Sequence, residues 1–406
     1  MNIEAFLNKV FPTGSLAVRL PNGRRLRIGD GSPPTVEVAV ADNLTLTRIL
    51  AQPSLGTGEA YMAGALTFEK GTIYDLVTLA SRNSGRDKAP PHPGRLRRWW
   101  TRVRRESNAR ATARRNAAHH YDLSLDLYRR FLDDDLQYSC ALFERRGMSL
   151  EEAQAAKKRH LAAKLLLSEG HRVLDIGCGW GGLALSLASG TGVRVDGVTL
   201  SAEQLRTAEA RAEAAGLAER VRFSLTDYRD VEGPYDRIIS VGMFEHVGRP
   251  NYQTYFDQIA RLLAKDGVAV IHSIGRSDGP STTDPFTAKY IFPGGYIPAL
   301  SEVLPAVERA RLVVTDVEIL RLHYAETLRC WRERFLANRE EVAELYDERF
   351  CRMWEYYLAG AEMGFRYGAH MVFQLQLARR ADAVPLTRHY IEDSERDLKA
   401  VARRVA

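Results

Sequence analysis

The sequence predicts an α/β protein with a Rossmann-like parallel sheet, preceded by a small α+β domain. From residue 170 onward, short apolar runs alternate with helical stretches, as parallel strands and their connecting helices do. The first of these strands runs directly into a glycine-rich turn, VLDIGCGWGG at 173–182, at the start of a helix. At 406 residues the chain is long enough for one such core and a smaller appended domain.

Charge and composition narrow the class of protein. The formal net charge is +6, but residues 86–115 hold eleven Lys and Arg against two acidic residues, so the rest is slightly negative. One basic stretch favours a localised anionic partner and argues against a nucleic-acid binder. We expect a cytoplasmic protein, because no apolar run approaches the roughly 18 residues of a membrane span and the first residues lack a signal-peptide core. The four cysteines have no metal-ligand spacing, so no metal site and no disulfide is predicted.

The first 84 residues form the predicted α+β domain, with a role in lipid docking or dimerisation. The apolar run 36–41 indicates a strand, the sequence Pro-Asn-Gly at 21–23 indicates a turn, and helical patterns cover 43–51 and 72–82. A homodimer is therefore one of the expected states of the protein.

Residues 85–118 are interpreted as a basic linker and helix. Its arginines are equally compatible with a solvated helix face, but the Trp99-Trp100 pair beside them suits a phospholipid headgroup layer. Each basic side chain near an anionic lipid surface contributes about 1 kcal/mol. This stretch predicts peripheral binding to the inner face of an anionic membrane.

Residues 119–406 form the predicted catalytic domain. Its sheet strands are predicted at 172–176, 193–198, 221–225, 236–241 and 268–274, with helices at 181–189, 201–215 and 251–264. An insertion rich in Pro, Gly and aromatic residues follows at 276–311 and is expected to cover the acceptor site. Beyond it we expect a strand near 312–319, two long helices between 325 and 364, and a last strand at 370–378.

The glycine turn predicts a cofactor site, and its neighbours indicate which cofactor. Gly177, Gly179 and Gly182 satisfy the pattern G-x-G-x-x-G, which by itself does not name the ligand. Asp175, two residues before the turn, would oppose the phosphates of a dinucleotide and attract a cation. The second strand ends at Thr199, without the carboxylate that binds the ribose of NAD. The pattern favours S-adenosylmethionine, which carries an ammonium and a sulfonium and no phosphate.

The acceptor site should lie at the carboxyl ends of the strands. Glu245 follows the fourth strand and His272 ends the fifth, so both side chains can reach one crevice. A single histidine at a strand end is more often structural, but several polar groups converge here. Asp227 and Tyr228, after the third strand, fit the adenine end of the cofactor.

The chain resembles the cyclopropane-fatty-acyl-phospholipid synthase family of class I methyltransferases. The resemblance covers about residues 115–378 and rests on the motifs HYDLS, YSCALF, VLDIGCGWGG, GVTLSAEQ, DYRD, FEHVG, KYIFPGG and LHYAETLRCWRERF. It implies methyl transfer from S-adenosylmethionine to the cis double bond of an unsaturated phospholipid acyl chain. The alkene attacks the methyl group, a base removes a proton from the resulting carbocation, and a cyclopropane ring closes.

The resemblance also implies roles for individual residues. The base would be a bicarbonate ion, held at the positions that match Cys140, Glu245, His272 and Tyr324. The expected cofactor contacts are Tyr138, Ser139, Asp175, Gly177, Gly179, Gly181, Thr199, Leu200, Ser201, Gln204, Asp227, Tyr228 and Arg229. Expected acceptor contacts are Phe244, Tyr290, Phe292, Gly294, Tyr296 and Tyr357.

One position departs from the family pattern. Many members carry a cysteine in the penultimate helix where this chain has Ala361, followed by Glu362. A Glu362 that faces the pocket would orient the anion's partners or act as the base, whereas the usual position of a helical Glu is in solvent. The substitution suggests that methyl transfer is retained but proton removal differs, which would yield a methyl-branched or methylenated chain.

Two other functions remain open at this point. One is a methyltransferase of the same fold that acts on a small soluble acceptor, and the other is a lipid-binding module whose glycine turn is inactive.

Overall fold

A computed structural model of the chain describes residues 3–84 and 124–405. The predicted basic linker with Trp99-Trp100 lies outside the described residues, as does most of the HYDLS motif. Contacts divide the described chain into two compact units: residues 3–84, 283–293 and 325–369 form the first, and residues 124–282, 294–324 and 370–405 form the second. Within the described ranges, no helix is long and apolar enough to cross a membrane.

The first unit contains a four-stranded sheet in the order β2-β1-β3-β4. Its strands are β1 (Ser15–Arg19), β2 (Arg25–Ile28), β3 (Thr35–Val40) and β4 (Leu66–Lys70). The helices of the same chain segment are α1 (Ile3–Val10), α2 (Asn43–Ala51), α3 (Pro53–Met62) and α4 (Ile73–Asn83). Alternate residues of β1 and β2 are buried, as expected for strands with one face on a core.

The second unit contains the predicted parallel sheet, which is confirmed. Seven strands lie in the order β10-β11-β9-β8-β5-β6-β7. They are β5 (Arg172–Ile176), β6 (Arg194–Thr199), β7 (Val221–Leu225), β8 (Tyr235–Val241), β9 (Leu263–Arg276), β10 (Val313–Leu320) and β11 (His370–Ala378). β11 runs antiparallel between β9 and β10, and the five strands from β5 to β9 run parallel.

Helices cover the faces of this sheet, and they include α5 (Leu125–Phe131), α6 (Leu150–Lys164), α7 (Gly182–Thr191), α8 (Ala202–Ala214), α9 (Tyr252–Leu262), α11 (Leu300–Arg309) and α15 (His389–Val405). Two clusters of buried apolar side chains line the sheet, one of which contains Ile238, Phe256 and Ile271, and the other Val173, Leu187 and Ile239. β5 and β8 are buried along most of their length on both faces and appear in the sequence as mostly apolar runs, whereas β7, at the edge of the sheet, is largely exposed.

The first unit is completed by helices from much later in the chain. These are α10 (Pro285–Tyr290), α12 (His323–Ala337), α13 (Arg339–Leu345) and α14 (Glu348–Arg366), with the first two residues of α12 in the second unit. α14 packs against α3 and α4, and Tyr61 donates a 2.5 Å hydrogen bond to Glu355. The predicted insertion at 276–311 is divided between the units, because α10 belongs to the first and α11 to the second.

Candidate active site

The glycine turn between β5 and α7 has three residues in backbone conformations that only glycine adopts easily. The φ angles of Gly177, Gly179 and Gly181 are +84°, +54° and +83°, which is the left-handed region. At Gly181 a Cβ atom would lie 2.8 Å from the ring of Phe223 and 2.9 Å from Ala208. At Gly179 it would meet no protein atom within 4 Å. The turn is therefore tightly packed at Gly181 and open beside Gly179.

Asp175 is buried at the end of β5, and its Oδ2 atom has no hydrogen-bond partner in the described chain. Burial raises the pKa of this carboxyl to about 7, while the charge of Lys157 acts in the opposite direction. A buried carboxyl group that lacks partners favours a ligand with positive charge or with donor groups. This matches the cationic cofactor that the sequence predicts.

Lys157 of α6 is a component of the site that the sequence analysis missed. Its amine is fully buried and donates to Gln137 Oε1 and, at 3.1 Å, to Ser139 Oγ. Gln154, one turn earlier, donates to the backbone oxygens of Gln137 and Ser139 at 3.2 and 2.9 Å. Burial lowers the pKa of Lys157 to about 8. Together these side chains fix the segment that precedes Cys140.

The turn after β6 is closed by its own side chains. Thr199 Oγ1 donates to Gln204 Oε1 at 2.8 Å and accepts from the backbone N–H of Ser201 at 3.2 Å. Ser201 caps α8 by accepting from the backbone N–H of Gln204. Leu200, between them, is half-buried. This rigid turn begins a helix at the carboxyl edge of the sheet, beside the glycine turn.

The segment after β7 contains an ion pair between two of the predicted cofactor contacts, Asp227 and Arg229. The carboxylate of Asp227 is bound by its neighbour Arg229, whose Nε and Nη2 lie 2.8 and 2.5 Å from its two oxygens. The ring of Tyr228 packs edge-on against Tyr255 at 5.3 Å. Asp227 thus orients Arg229, and the aromatic ring is the group of this segment that remains suited to stacking on a planar ligand.

Glu245 follows the carboxyl end of β8, as predicted, whereas His272 lies inside β9, level with Val241 at the end of β8, because β9 continues to Arg276. Glu245 belongs to a helical turn at 244–246, and its Oε1 accepts from the backbone N–H of Ile274 at 2.7 Å. Its Oε2 has no hydrogen-bond partner among the residues described, and burial raises its pKa to about 7. Burial lowers the pKa of His272 to about 3, so its ring is neutral at physiological pH. The two groups meet at one short stretch of β9, because Glu245 binds the backbone of Ile274, two residues from His272.

Cys140 and Tyr324, also in the second unit, are buried as well, and Tyr138 is half-buried. Cys140 is 1% exposed, and its Sγ donates to the backbone oxygen of Ala141 at 3.3 Å. Tyr138 packs edge-on against Tyr128, which also packs against Trp180 of the glycine turn. Tyr324 is buried near the start of α12.

Phe244 and Tyr296, two predicted acceptor contacts, are buried among side chains of the second unit. Phe244 is 0% exposed, and its ring lies within 4.6 to 5.5 Å of the rings of Tyr252, Tyr255 and Phe256. Tyr296 donates its backbone N–H to Glu245 O at 3.0 Å and its hydroxyl to Glu302. The Phe244 ring is thus surrounded by core rings, and Tyr296 binds the backbone of Glu245 and the largely buried carboxylate of Glu302. Gly294, also in this unit, has a φ angle of +79°.

The other predicted acceptor contacts belong to the first unit. The hydroxyl of Tyr290 donates to Glu59 at 2.9 Å. Phe292 packs edge-on against Tyr357 with ring centroids 5.9 Å apart. The sequence motifs that contain these residues therefore contribute aromatic side chains to the unit that also holds α14.

Glu362 does not have the arrangement expected of a base. It is 0% exposed, so the solvent-facing alternative is wrong. Its Oε1 accepts from Tyr74 Oη at 3.0 Å and Arg366 Nε at 2.7 Å, and its Oε2 accepts from Arg332 Nε at 3.2 Å. The Arg332 guanidinium also lies 3.9 Å from the centre of the Tyr74 ring. Three donors occupy both oxygens, which argues against a role in proton removal and assigns Glu362 to the architecture of the first unit.

Comparison with known families supports the same chemistry. The family model described as mycolic acid cyclopropane synthetase matches residues 108–375, and a domain family of unknown function matches residues 3–87. The chain is 40% identical over 353 residues to the cyclopropane-fatty-acyl-phospholipid synthase of Escherichia coli K12, covering 86% of this chain and 89% of that one. It is 38% identical over 374 residues to the tuberculostearic acid methyltransferase UfaA1 of Mycobacterium tuberculosis, covering 88% and 86%.

Solved structures show the same relationship. The cyclopropane synthase MmaA2 from Mycobacterium tuberculosis superposes with a TM-score of 0.63 at 34% identity, covering 65% of this chain and 98% of that one. The mycolic acid cyclopropane synthase CmaA1, in complex with S-adenosylhomocysteine and CTAB, superposes with a TM-score of 0.62 at 34% identity, covering 65% and 97%.

Proposed function

The chain belongs to the mycolic acid cyclopropane synthetase family, and from this membership we propose that it is an S-adenosylmethionine-dependent enzyme that cyclopropanates unsaturated acyl chains. The observation that carries the proposal is the pair of buried, incompletely bonded carboxyl groups at the carboxyl edge of the sheet. Asp175 lies beside the glycine turn, and Glu245 lies beside His272. The first suits a cationic donor and the second suits the control of a proton.

S-adenosylmethionine, when bound, supplies an electrophilic methyl group on a sulfonium. The side of the glycine turn at Gly179 can approach it closely, because no protein atom lies near the position of a Cβ there. Asp175 offers the negative charge, and the closed turn of Thr199 and Gln204 offers a fixed edge beside it. The same pocket explains why a methyl donor is favoured over a dinucleotide, because a buried carboxylate repels phosphate.

We propose that bicarbonate fits the second carboxyl group. A Glu245 that keeps its proton near neutral pH can donate from Oε2 to an anion oxygen, and the neutral His272 ring can donate beside it. Cys140 and Tyr324 are the other side chains that the family resemblance assigns to this anion. The chain's own residues thereby hold a base in place without being bases themselves. The removed proton comes from the methyl carbon as the ring closes.

The acceptor is proposed to be an acyl chain of a phospholipid at an anionic membrane surface. The relatives named for fatty-acyl-phospholipid and mycolic acid substrates support a lipid acceptor. The basic stretch at 86–115 supports the surface. We propose that charge reversal of Arg97, Arg98, Arg104 and Arg105 weakens binding to phosphatidylglycerol vesicles at low salt at least tenfold and leaves cofactor affinity intact. Equal vesicle binding by variant and wild type would support the alternative interpretation of this stretch as a solvated helix face.

The decisive experiment follows the methyl group into product. The purified protein is incubated with vesicles of cis-unsaturated phosphatidylglycerol and trideuteriomethyl-labelled donor, and the released fatty acids are separated and analysed by mass spectrometry. We expect a cyclopropane that retains two deuterons. Label transfer to a small soluble acceptor without vesicles, or no transfer at all, would reject the proposal.

Methylation without ring closure is the second candidate. The observation that favours it is the 38% identity to a tuberculostearic acid methyltransferase, together with Ala361 in place of a family cysteine. The same experiment separates the products. A methyl branch that retains three deuterons indicates that no proton left the methyl group, and an exocyclic methylene retains two but takes up hydrogen on mild catalytic reduction. We also propose that the protein is a homodimer. Sedimentation equilibrium measures the number of subunits.

A further inference from the structure

Gln374 lies on β11 directly opposite His272 of β9 in the antiparallel pairing of the two strands. Both side chains are buried, and Gln374 is 0% exposed. The amide Nε2 of Gln374 lies 3.2 Å from the ring Nδ1 of His272. An amide nitrogen is a donor without acceptor capacity, so Nδ1 is the acceptor in this contact. The single ring proton of a neutral His272 then resides on Nε2.

The opposite amide orientation fits the surroundings less well. With Nε2 toward the ring, Gln374 Oε1 is a buried acceptor without a hydrogen-bond partner in the described part of the chain. A rotated amide would place Oε1 against the ring and leave the buried –NH2 group without an acceptor. Buried donors without partners are rarer in proteins than incompletely bonded carbonyl oxygens. The observed orientation is therefore the less costly of the two.

A second buried glutamine on the same strand provides a comparison. Gln376 donates from Nε2 to Lys164 O at 2.6 Å and to Tyr390 Oη at 2.7 Å, and its Oε1 accepts from Thr315 at 2.9 Å. Both ends of that amide take part in the fold. Among the described residues, the hydrogen bond of the Gln374 side chain is with the His272 ring alone.

The geometry points to Gln374 as a positioning residue that fixes His272 in the tautomer with its proton on Nε2, ready to donate to an oxygen of the bound anion. This inference rests on the proposed function for the identity of the anion, bicarbonate. The tautomer matters because the ring is neutral at physiological pH: its capacity to donate depends on which nitrogen carries the one proton. Gln374 acts through His272 and needs no contact with substrate.

The test measures the tautomer directly. Protein labelled with 15N and 13C in histidine is studied by NMR without substrate, and the His272 signals are assigned with His272→Asn. We expect the wild-type ring to be protonated on Nε2. In Gln374→Glu the carboxylate accepts from the ring, so the proton moves to Nδ1, and in Gln374→Met both tautomers are populated. We also expect Gln374→Glu to raise the bicarbonate concentration for half-maximal ring formation at least tenfold, with an unchanged Kd for S-adenosylmethionine.

Gln376→Glu is the matched control, because it introduces the same carboxylate into the same strand away from His272. We expect its His272 tautomer and its bicarbonate dependence to equal those of the wild type. A wild-type ring protonated on Nδ1, or a Gln374→Glu protein that keeps the Nε2 proton and the wild-type bicarbonate dependence, overturns the inference. Failure of the proposed function is separately visible, as absence of cyclopropane from the wild-type reaction.

Discussion

At the scale of single residues, the site combines carboxyl groups whose charge the fold itself disfavours. Burial raises the pKa of Asp175 and of Glu245 to about 7 each, above the ordinary values of 3.8 and 4.5. A carboxyl with a raised native pKa binds its proton more tightly in the folded protein than in the unfolded chain. Stability therefore decreases as the pH rises from about 4 through 7, and each pKa unit corresponds to about 1.4 kcal/mol.

Asp175→Asn should stabilise the ligand-free protein and weaken cofactor binding. Removal of the buried charge is expected to raise the melting temperature of the ligand-free protein at pH 8, with little gain at pH 4. It should weaken binding of S-adenosylmethionine at least tenfold, because the cationic ligand loses its counter-charge. Calorimetric titration and thermal denaturation measure the two effects.

Asp196→Asn is the control for this change. Asp196 lies on the neighbouring strand β6 and pairs with Arg172 at 2.8 Å in a partly exposed position. We expect it to leave cofactor affinity unchanged. An Asp175→Asn protein that binds S-adenosylmethionine as tightly as the wild type would contradict the assigned role of the carboxylate.

Residues of the site differ in how far the sequence alone could reveal them. Asp175 was predictable because its place before a glycine turn has a direct electrostatic meaning. Lys157 was not, because a lysine on a helix normally reaches solvent, and its burial depends on where α6 packs. Glu362 was assigned to catalysis from a family substitution, and its partners Tyr74 and Arg332 come from distant parts of the chain that no local pattern connects.

At the scale of elements, the glycine turn after β5 packs against the strand β7 and the helix α8. Gly181 packs against Phe223 of β7 and Ala208 of α8, and its φ angle is left-handed. Gly181→Ala should therefore lower the free energy of unfolding by about 2 kcal/mol or more, because both strain and overlap must be relieved. It should also weaken cofactor binding by shifting the turn. Urea denaturation and calorimetric titration are the measurements.

Gly190→Ala is the matched control within α7. A Cβ at Gly190 would meet no atom within 4 Å, and alanine is the better helix former by roughly 0.5–1 kcal/mol. We expect this variant to be slightly more stable than the wild type with normal cofactor binding. Equal losses of stability in the two variants would contradict the role assigned to packing at Gly181.

The last helix is held by a histidine between two carboxylates. His160 of α6 lies 2.5 Å from Glu395 of α15 and 2.8 Å from Glu318 of β10. Burial disfavours its charge, but these two hydrogen bonds together raise its pKa above the ordinary value of 6.5. The other charged groups of this cluster are Lys164, Asp316 and Arg388.

The pH dependence of α15 follows from the sign of this shift. A raised native pKa gives stability that is complete below about pH 6.5 and is lost as the pH rises through the folded value. Hydrogen exchange of residues 389–400, corrected for intrinsic rates, should therefore show weaker protection at pH 9 than at pH 6. In His160→Gln the difference should vanish. Equal protection of the wild type at both pH values would exclude the imidazolium as the group that holds this helix.

Elements were predicted well where burial is uniform. The bounds of β5 and β11 agree with the prediction, because both are largely buried and mostly apolar. The bounds of β7 agree as well, although only Val221 is buried in that strand. β9 begins five residues before its predicted start, since Lys265, Asp266 and Gly267 have the composition of a turn. α3 was missed because Gly56 and Gly58 argue against a helix. In the fold they allow close approach to the backbone of Arg48 and the ring of Phe286.

At the scale of the whole molecule, one buried carboxylate joins distant segments of the first unit. Glu362 binds Arg332 and Arg366 and also reaches Tyr74 of α4. Glu362→Ala should lower the free energy of unfolding by about 3–5 kcal/mol, because it leaves the largely buried guanidinium of Arg332 without a counter-charge and Arg366 with Glu326 alone. Guanidinium chloride denaturation measures this loss.

The exposed pair of Glu333 and Arg329 is the control. Glu333→Ala removes a surface carboxylate from the same region and should cost at most about 1 kcal/mol. Similar losses of stability in the two variants would contradict the structural role assigned to Glu362. Cyclopropane formation by a Glu362→Gln protein with wild-type bicarbonate dependence would agree with an architectural role.

The discontinuity of both units has a consequence for synthesis on the ribosome. The first unit needs α14 to cover α3 and α4, and β11 must enter the sheet of the second unit before β10 can pair with it. The first unit can therefore not be completed until about residue 369 has emerged, and the sheet of the second unit not until about residue 378. The early helices must wait with their apolar faces uncovered through most of translation. Nascent chains of this protein should depend on holding chaperones more than single-segment domains of equal length do.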